Sequence, residues 1–564
     1  MLGLYLSLLL LALPAPSRAG QAAKDPVMDA MVRELDRSFA GLRHKEKVPL
    51  YYMEYELTVS TRGQISANMG ALEYSGVTPG AVLDIDMRVN SMALDNTHQV
   101  KGSMSWGNYS RSQSFPVALD GDEAAIRARL WEYTDKTYKE AEERFTKVEM
   151  NKAVTAAEED PSPDFSTAPA ERFYETVTPP QPDVKAWGER LRRLSARFEG
   201  LPFVYGSGVW LSWNNVNRYI VNSDGTRVKT GNNYVTLGYS LMSRTTDGMD
   251  LTRTRQYNGD SLANMPSDVK VLSDMDRSIK ELEALRAAPL VEPYSGPAIL
   301  KARAAAVYFH EIIGHRLEGH RQKLEDSGQT FARKVGQKVT SPIVSLYDDP
   351  TLREFDGIPL RGYYRFDDEG VKARRVTLVK DGVLKGFLMS RSPIRGFPSS
   401  NGHGRRSPGH DVVSRMGNTI MVASKTVSYP ELRKMLIEEC REQGKPFGLV
   451  FDDISGGETN TERGGPQAFN VFPLLVHKVF TDGRPDQVVR GVNIVGTPLT
   501  SFSEIQAAAN DPDVFNGTCG AESGWVPVSA ISPSVLLGDI EVEKAPKSQQ
   551  KPPVLPPPQA YGGK

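Results

Sequence analysis

The stretch between residues 307 and 320 constrains this chain most, because it holds three of the eight histidines. His310 and His315 are five residues apart, and Glu311 directly follows the first of them. On a regular α-helix, residues at that spacing lie roughly 140° apart, so a straight helix cannot aim both imidazoles at one point. A local π-helical turn would bring them to one side, and Gly314 is the residue at which the backbone distorts most easily. The spacing therefore predicts a π-type or broken turn.

Two imidazoles with an adjacent carboxylate are typical of a metal site. Zinc peptidases present this set on a helix, with the carboxylate beside the metal-bound water. The alternative is a helix whose histidines face solvent or pack beside the core. Near the C-terminus, Cys519 lies in a glycine-flanked segment. A thiolate at that position could complete a His/His/Cys zinc site that keeps an open position for water.

The chain has only two cysteines, Cys440 and Cys519. Two cysteines in an exported protein usually form one disulfide, and such a bridge would compete with the metal site for Cys519. Cys440 lies in an amphipathic stretch over residues 430–443, where a buried free thiol is common. We therefore predict that the two cysteines do not form a bridge.

A long loop rich in Gly, Ser and Arg occupies residues 391–410. Long loops without secondary structure inside compact domains are usually functional or disordered. Asn401, Arg405 and Arg406 are our candidates for substrate binding, because arginine side chains can hold a peptide carboxylate or backbone carbonyls. The alternative is a solvated basic loop.

The N-terminus predicts export. The apolar, leucine-rich run at residues 2–14 is too short to span a membrane, and small residues precede a cut after Ala19. We expect residues 1–19 to be a cleaved signal peptide and the protein to be periplasmic or secreted; a retained N-terminal helix is the alternative. No later stretch is long and apolar enough for a membrane span, and a net charge of −1 gives no electrostatic reason to expect nucleic acid.

A length of 564 residues predicts at least two domains. Helical and strand-like patterns alternate in the first half, which predicts an N-terminal α+β domain over residues 20–291 with an antiparallel sheet and long helices. The pattern downstream is mostly β, which predicts a β-rich domain over residues 292–543 that carries the histidine helix. Residues 158–183 are rich in Pro, Ser and Thr and are predicted to lie on the surface, and residues 544–564 to form a disordered tail. The elements predicted for the first half lie at residues 25–39, 50–60, 120–153, 184–198, 203–257 and 267–287.

With these segments in view, the chain resembles the TldD/PmbA family of zinc metallopeptidases, also known as modulators of DNA gyrase, and in particular its catalytic, TldD-like branch. The resemblance is strong from about residue 294 to residue 542, where the motifs also follow the family's order, and it rests on arrangement in the N-terminal half. The segments that carry it are residues 310–319, 367–370, 381–386, 401–406, 415–419, 518–520 and 526–528.

The resemblance implies a metallopeptidase in which Zn²⁺ is held by His310, His315 and Cys519, with Glu311 as the general base. It also implies flexible or unfolded peptides as substrates, a closed assembly around the site, and an oligomer with a second copy or a related subunit. The export signal departs from the family pattern, as does His320, which we interpret as lying outside the ligand set. The alternatives are a non-catalytic peptide-binding subunit and a protein with a structural zinc site.

Overall fold

The structure is a computed structural model of the chain, and it describes residues 25–45, 48–101, 114–117, 123–156, 158–465, 468–547, 551 and 553–555. The predicted signal peptide at residues 1–19 and most of the predicted tail lie outside these residues. The helices are α1 Pro26–Leu42, α2 Glu123–Val154, α3 Val184–Ser195, α4 Asp268–Ala287, α5 Ala302–Phe309, α6 Tyr429–Glu442 and α7 Pro498–Ser503. The strands are β1 Leu50–Asn68, β2 Ala71–Ser91, β3 Leu94–Asp95, β4 Phe115–Pro116, β5 Arg172–Tyr174, β6 Gly206–Asn222, β7 Arg227–Arg244, β8 Asp250–Gly259, β9 Tyr294–Leu300, β10 Val344–Asp348, β11 Glu354–Phe355, β12 Ile358–Pro359, β13 Val376–Lys380, β14 Val383–Leu384, β15 Gly404–Arg405, β16 Val413–Ser414, β17 Asn418–Ala423, β18 Phe447–Thr459, β19 Phe469–Phe480, β20 Gln487–Val489, β21 Val492–Gly496, β22 Ile505–Ala508, β23 Asp513–Ala521, β24 Gly524–Ser532 and β25 Val535–Lys544.

An eight-stranded sheet organises the first half, in the order β3-β2-β1-β6-β7-β5, with β4 paired to β2 and β8 to β7. Neighbouring strands are antiparallel except β5 and β7. Successive side chains of a strand point to opposite faces, and alternate residues of β1, such as Met53 and Leu57, pack beneath α1 and α2. Further along the same face, Ile65 packs with residues of α3 and α4. One face of the sheet is therefore covered by helices.

The predicted helices and strands of the first half are confirmed to within a few residues, except that β1 extends beyond its predicted end. One prediction is wrong, because residues 158–183 do not all lie on the surface. Phe165 is 1% exposed, since its ring packs against Tyr52 at 4.7 Å between centroids and beneath the guanidinium of Arg391. The neighbouring Asp164 and Ser166 are also buried and hydrogen-bond His98 and Arg391, so residues 164–166 anchor this Pro-rich segment in the interior.

Two large sheets form most of the second half, beside the two-stranded pairs β11–β12 and β15–β16. A six-stranded sheet has the order β14-β13-β10-β17-β24-β23, in which β17 and β24 are parallel. A seven-stranded sheet has the order β18-β9-β25-β21-β19-β20 with β22 on β25, and a further pairing of β18 with β19 closes it into a ring. α5 lies between the two sheets, in contact with β23 and β24 of one and with β18 of the other. The predicted α+β fold class is confirmed. Among the described residues, no helix is both long enough and apolar enough to cross a membrane.

The two halves meet across the other face of the eight-stranded sheet. Glu54 and Glu56 alternate with the core residues of β1, and both are buried. The Nη2 of Arg406 lies 2.7 Å from the Oε2 of Glu56, and Arg218 of β6 forms an ion pair with Asp368. Buried charges therefore connect the two halves.

Candidate metal centre

The histidine helix changes its winding at the predicted place. α5 ends at Phe309, and the chain continues as one π-helical turn over His310–Gly314 and a 3-10 turn over His315–Leu317. The wider turn brings His315 back to the side of His310, and the two ring centroids lie 5.2 Å apart. A Cβ on Gly314 would lie 2.2 Å from the Sδ of Met416, so only glycine fits there without a shift. The predicted π-type turn is confirmed.

Three donor atoms converge at this turn. The Sγ of Cys519 lies 3.1 Å from the Nε2 of His310 and 3.3 Å from the Nε2 of His315. All three side chains are buried, and their donor atoms lie within 4.8 Å of one another. The structure thus brings together the three residues that were predicted as metal ligands.

Cys519 reaches the helix from β23, the edge strand of the six-stranded sheet. Arg415 fixes its position, because the Nη2 of Arg415 donates to the carbonyl oxygen of Cys519 at 2.8 Å and to its Sγ at 3.1 Å. Burial would raise the pKa of the thiol, but the positive charges of His315, Arg415 and His310 outweigh it and hold that pKa well below its usual value. The thiolate, which is the form that binds metals, is therefore favoured.

Glu318 supports the second imidazole. In a 3-10 turn, residues three apart lie on one side, and the Oε2 of Glu318 lies 3.3 Å from the Nδ1 of His315. Burial would raise the pKa of Glu318, but His315 and Arg321 lower it to about 2, so the carboxylate is ionised. Neither Glu318 nor Arg415 was among the predicted site residues. The three-residue spacing after His315 was a signal for the first of them.

Glu311 projects into a cavity of about 1130 Å³ that is also lined by His310, His315 and Cys519. Gly457 of β18 leaves room for it, since a Cβ there would lie 2.7 Å from the Cγ of Glu311. Burial raises the pKa of Glu311, against the opposing charges of His310 and His315. In the described part of the chain, Arg316 bonds the backbone carbonyl of residue 311, while no hydrogen bond or ion pair engages the carboxylate. This carboxylate is available to a ligand in the cavity.

His320 is not part of the three-donor group. Its Nε2 contacts the carboxylate of Glu522, which also accepts a hydrogen bond from Arg321 at 2.7 Å. Glu318, His320 and Glu522 bring three potential donors together. However, the guanidinium groups of Arg321 and Arg415 already pair with these carboxylates, which disfavours a second cation.

The loop residues that were predicted to bind substrate do not line this cavity. Arg406 is 2% exposed in its ion pair with Glu56, and Arg405 donates to the carbonyl oxygen of Met416 at 2.6 Å. Asn401 hydrogen-bonds the backbone of residues 387 and 389. Protein partners thus engage all three side chains, which hold the loop in place, and their role in substrate binding stays a prediction.

The two cysteines lie in separate core clusters, and both thiols are free. Cys440 packs with Leu432 and Leu436 of α6. Burial raises the pKa of Cys440 to about 11, so that it stays a neutral thiol. The two cysteines therefore differ in charge as well as in position.

The donor set fits zinc. Imidazole and thiolate are ligands that zinc prefers, and tetrahedral bonds of about 2.0 to 2.3 Å place donor atoms about 3 to 4 Å apart. The two Sγ–Nε2 distances, 3.1 and 3.3 Å, fall in that range. Catalytic zinc sites use three protein donors and keep the fourth position for water, whereas structural sites usually have four.

Comparisons with known proteins point to one family. Residues 293–544 match the family model of the PmbA/TldA metallopeptidase C-terminal domain. The chain is 32% identical over 239 residues to a metalloprotease of Archaeoglobus fulgidus, covering 42% of this chain and 51% of that protein. It is 30% identical over 250 residues to a metalloprotease TldD homolog of Haemophilus influenzae, covering 44% and 48%. A zinc metalloprotease TldD homolog of Saccharolobus solfataricus is 22% identical over 250 residues, covering 44% and 51%. The chain spans about half the length of the curated relatives it matches.

The solved structure of TldE from Thermococcus kodakarensis is similar over both halves of the chain. The TM-score is 0.59, with 92% of this chain and 100% of that chain covered, at 17% sequence identity. At that identity the likeness establishes the fold.

Proposed function

Since this chain belongs to the TldD/PmbA family, we propose that it is a zinc-dependent peptidase that hydrolyses flexible or unfolded peptides. The observation that carries the proposal is the carboxylate of Glu311, which lies without a protein partner among the described residues beside three convergent metal donors. The metalloprotease names of the curated relatives support the class of reaction.

The residues divide the chemistry between them. Zinc held by His310, His315 and Cys519 would lower the pKa of a bound water to about 7 and polarise the scissile carbonyl. Glu311 accepts a proton as the water oxygen bonds to the carbonyl carbon. It then delivers that proton to the amide nitrogen as the carbon–nitrogen bond breaks.

The surrounding strands suit an extended substrate. Among the described strands, β23 pairs with β24 alone, so its other edge has no strand partner there. The backbone groups of its other edge can pair with an extended peptide, which a folded protein does not offer. Flexible or unfolded peptides are therefore the substrates that we propose.

The test combines zinc analysis with cleavage of an unstructured peptide by the full chain. Glu311→Gln should keep zinc and lose cleavage by a factor of at least ~10², because the basic oxygen is gone. His310→Ala should lose metal and activity together, since a ligand is missing. Glu438→Gln, an exposed site on α6, is the matched control and should cleave like the wild type. Equal turnover by Glu311→Gln and the wild type, both with zinc bound, would refute the mechanism.

Two other functions predict different results. A non-catalytic peptide-binding subunit would bind the peptide and cleave nothing, with or without zinc. A structural zinc site would make unfolding depend on zinc without any peptide binding. Three clustered donors with an unpaired carboxylate beside them support catalysis over a structural site.

We also propose that the protein is exported, with a cut after Ala19, and that it forms an oligomer with itself or with a related subunit. To test export, cells that produce the protein are fractionated, and mass spectrometry identifies the N-terminal residue of the protein in each fraction. An uncut chain in the cytoplasm would contradict export. Native mass measurement, with and without a related subunit, tests oligomer formation, and a monomer in both conditions would contradict it.

A further inference from the structure

Two half-buried arginines in the metal cavity each have a guanidinium nitrogen that is buried and left without a hydrogen bond among the described residues. Arg303 and Arg361 line the same cavity as Glu311 and the three donors. The Nε atoms of both arginines are buried without a hydrogen-bond partner among the described residues. Buried charged groups are normally paired, because an unsatisfied donor costs free energy. A guanidinium nitrogen left unsatisfied at the wall of a cavity therefore favours an anionic ligand there.

Arg361 is the stronger case, because it takes part in none of the ion pairs of the described residues. Burial lowers the pKa of its guanidinium, and only Tyr234 acts in the opposite direction. Its backbone is fixed, since its N–H donates to the Oδ1 of Asn516 at 3.0 Å and the Nδ2 of Asn516 donates to the carbonyl of Pro359 at 2.9 Å. The side chain thus starts from a rigid support.

Arg303 is partly paired. Its Nε lies 3.7 Å from Asp453, whose other oxygen lies 3.5 Å from Arg253. One carboxylate is thereby shared between two arginines. The guanidinium of Arg303 also lies 5.2 Å from the ring centroid of Phe515, the neighbour of Asn516 on β23. Both arginines therefore adjoin the same part of β23.

Two sequence offsets, combined with helix and strand geometry, give the approximate separation between this part of the cavity and the metal donors. Arg303 precedes His310 by seven residues. On an α-helix this spacing places the two residues on the same face, about 10 Å apart along the axis. Asn516 precedes Cys519 by three residues, which on a strand is also about 10 Å. An extended peptide covers about 10 Å in three residues.

We propose that Arg303 and Arg361 form a carboxylate-binding subsite about three residues along the substrate from the cleaved bond. The inference rests on the proposed peptidase function and specifies its substrate class. The carboxylate is either an acidic side chain or the free C-terminus of the peptide. Arg303 and Asn516 also border a second cavity of about 1040 Å³, so the structure provides space for a chain that continues.

The cleavage test uses matched quenched peptides on the full, zinc-loaded protein, with the cleaved bond located by mass spectrometry. One pair has Glu or Gln within three residues of that bond, and the other has a free or an amidated C-terminus. The wild type should favour the carboxylate member of at least one pair by about tenfold or more in kcat/KM. The pair that shows the preference identifies the source of the carboxylate. Equal rates within both pairs would overturn the proposal.

Variants assign the preference to the arginines. Arg361→Gln should bring the ratio between carboxylate and neutral peptides towards one, and Arg303→Gln should lower it. Arg353→Gln removes a 65% exposed arginine and should keep the wild-type ratio. The melting temperature of Arg361→Gln should fall little, because among the described residues the removed guanidinium has no hydrogen-bond or ion-pair partner and only a ring contact with Tyr234, at 5.5 Å. A full preference retained in Arg361→Gln would refute the subsite.

A binding measurement separates the two proposals. Labelled peptides of the same pairs are titrated into Glu311→Gln by fluorescence anisotropy, which needs no turnover. A carboxylate preference that disappears in Glu311→Gln/Arg361→Gln supports the subsite even if the wild type cleaves nothing, in which case the peptidase proposal alone fails. Cleavage without any preference supports the peptidase and rejects the subsite.

Discussion

The ion pair between Glu56 and Arg406 should stabilise the contact between the two halves of the chain by an amount that can be measured. Both side chains are 2% exposed, so solvent does not screen the interaction. The Nε and Nη2 atoms of Arg406 lie 2.9 and 2.7 Å from the same Glu56 oxygen. Removing one partner of a buried pair costs about 3 to 5 kcal/mol, because the other charge stays buried. Arg218, at 3.5 Å from Glu56, compensates in part, so we expect Arg406→Met to cost about 3 kcal/mol.

The assay is native-state hydrogen exchange of the β1 amides, which reports the free energy of local opening. The double variant Glu56→Gln/Arg406→Met should lose less than the sum of the two single variants, by about 1 to 3 kcal/mol. Arg484→Met, at a 57% exposed site, is the control and should change stability by less than about 0.5 kcal/mol. If Arg406→Met left the hydrogen exchange of β1 unchanged but weakened peptide binding, the structural role of Arg406 would be refuted. Its predicted role in substrate binding would then be supported.

Three further predictions concern the metal site and pH. Gly314→Ala should lose zinc, measured by metal analysis, because its Cβ would lie 2.2 Å from a methionine sulfur, whereas Gly41→Ala meets nothing within 4 Å and should keep it. Glu318→Gln should weaken zinc binding about 10- to 100-fold in chelator competition, since an imidazole loses its carboxylate, and unchanged affinity would contradict this. Burial would lower the pKa of His98, but Asp164 and a second carboxylate raise it. The stability from His98 should therefore be full below about pH 6.5 and be lost as pH rises through the raised value. His98→Gln should flatten that part of the melting profile, and an unchanged profile would contradict it.

The parts of the site that could be predicted from the sequence depend on rare residues and on helix geometry. The spacing of His310 and His315 conflicts with 3.6 residues per turn, so it predicted a distorted turn before any fold was known. The carboxylate partner of Arg406 could not be predicted, because Glu56 lies 350 residues away in the chain. A basic loop in solvent and a basic loop in the interior have the same composition. Arg361 could not be predicted for the related reason that only the folded chain brings it into the cavity of the metal donors.

The origin of the donors also sets the order in which the site can form. His310 and Cys519 are separated by 209 residues. Bringing the two ends of so long a segment together costs conformational entropy, and the contacts within the assembled sheets offset that cost. We therefore expect Cys519 to reach the helix late in folding. An unfolded chain, such as one crossing a membrane, offers no three-donor cage. Any metal that the three donors take up would therefore bind only after the two sheets have assembled.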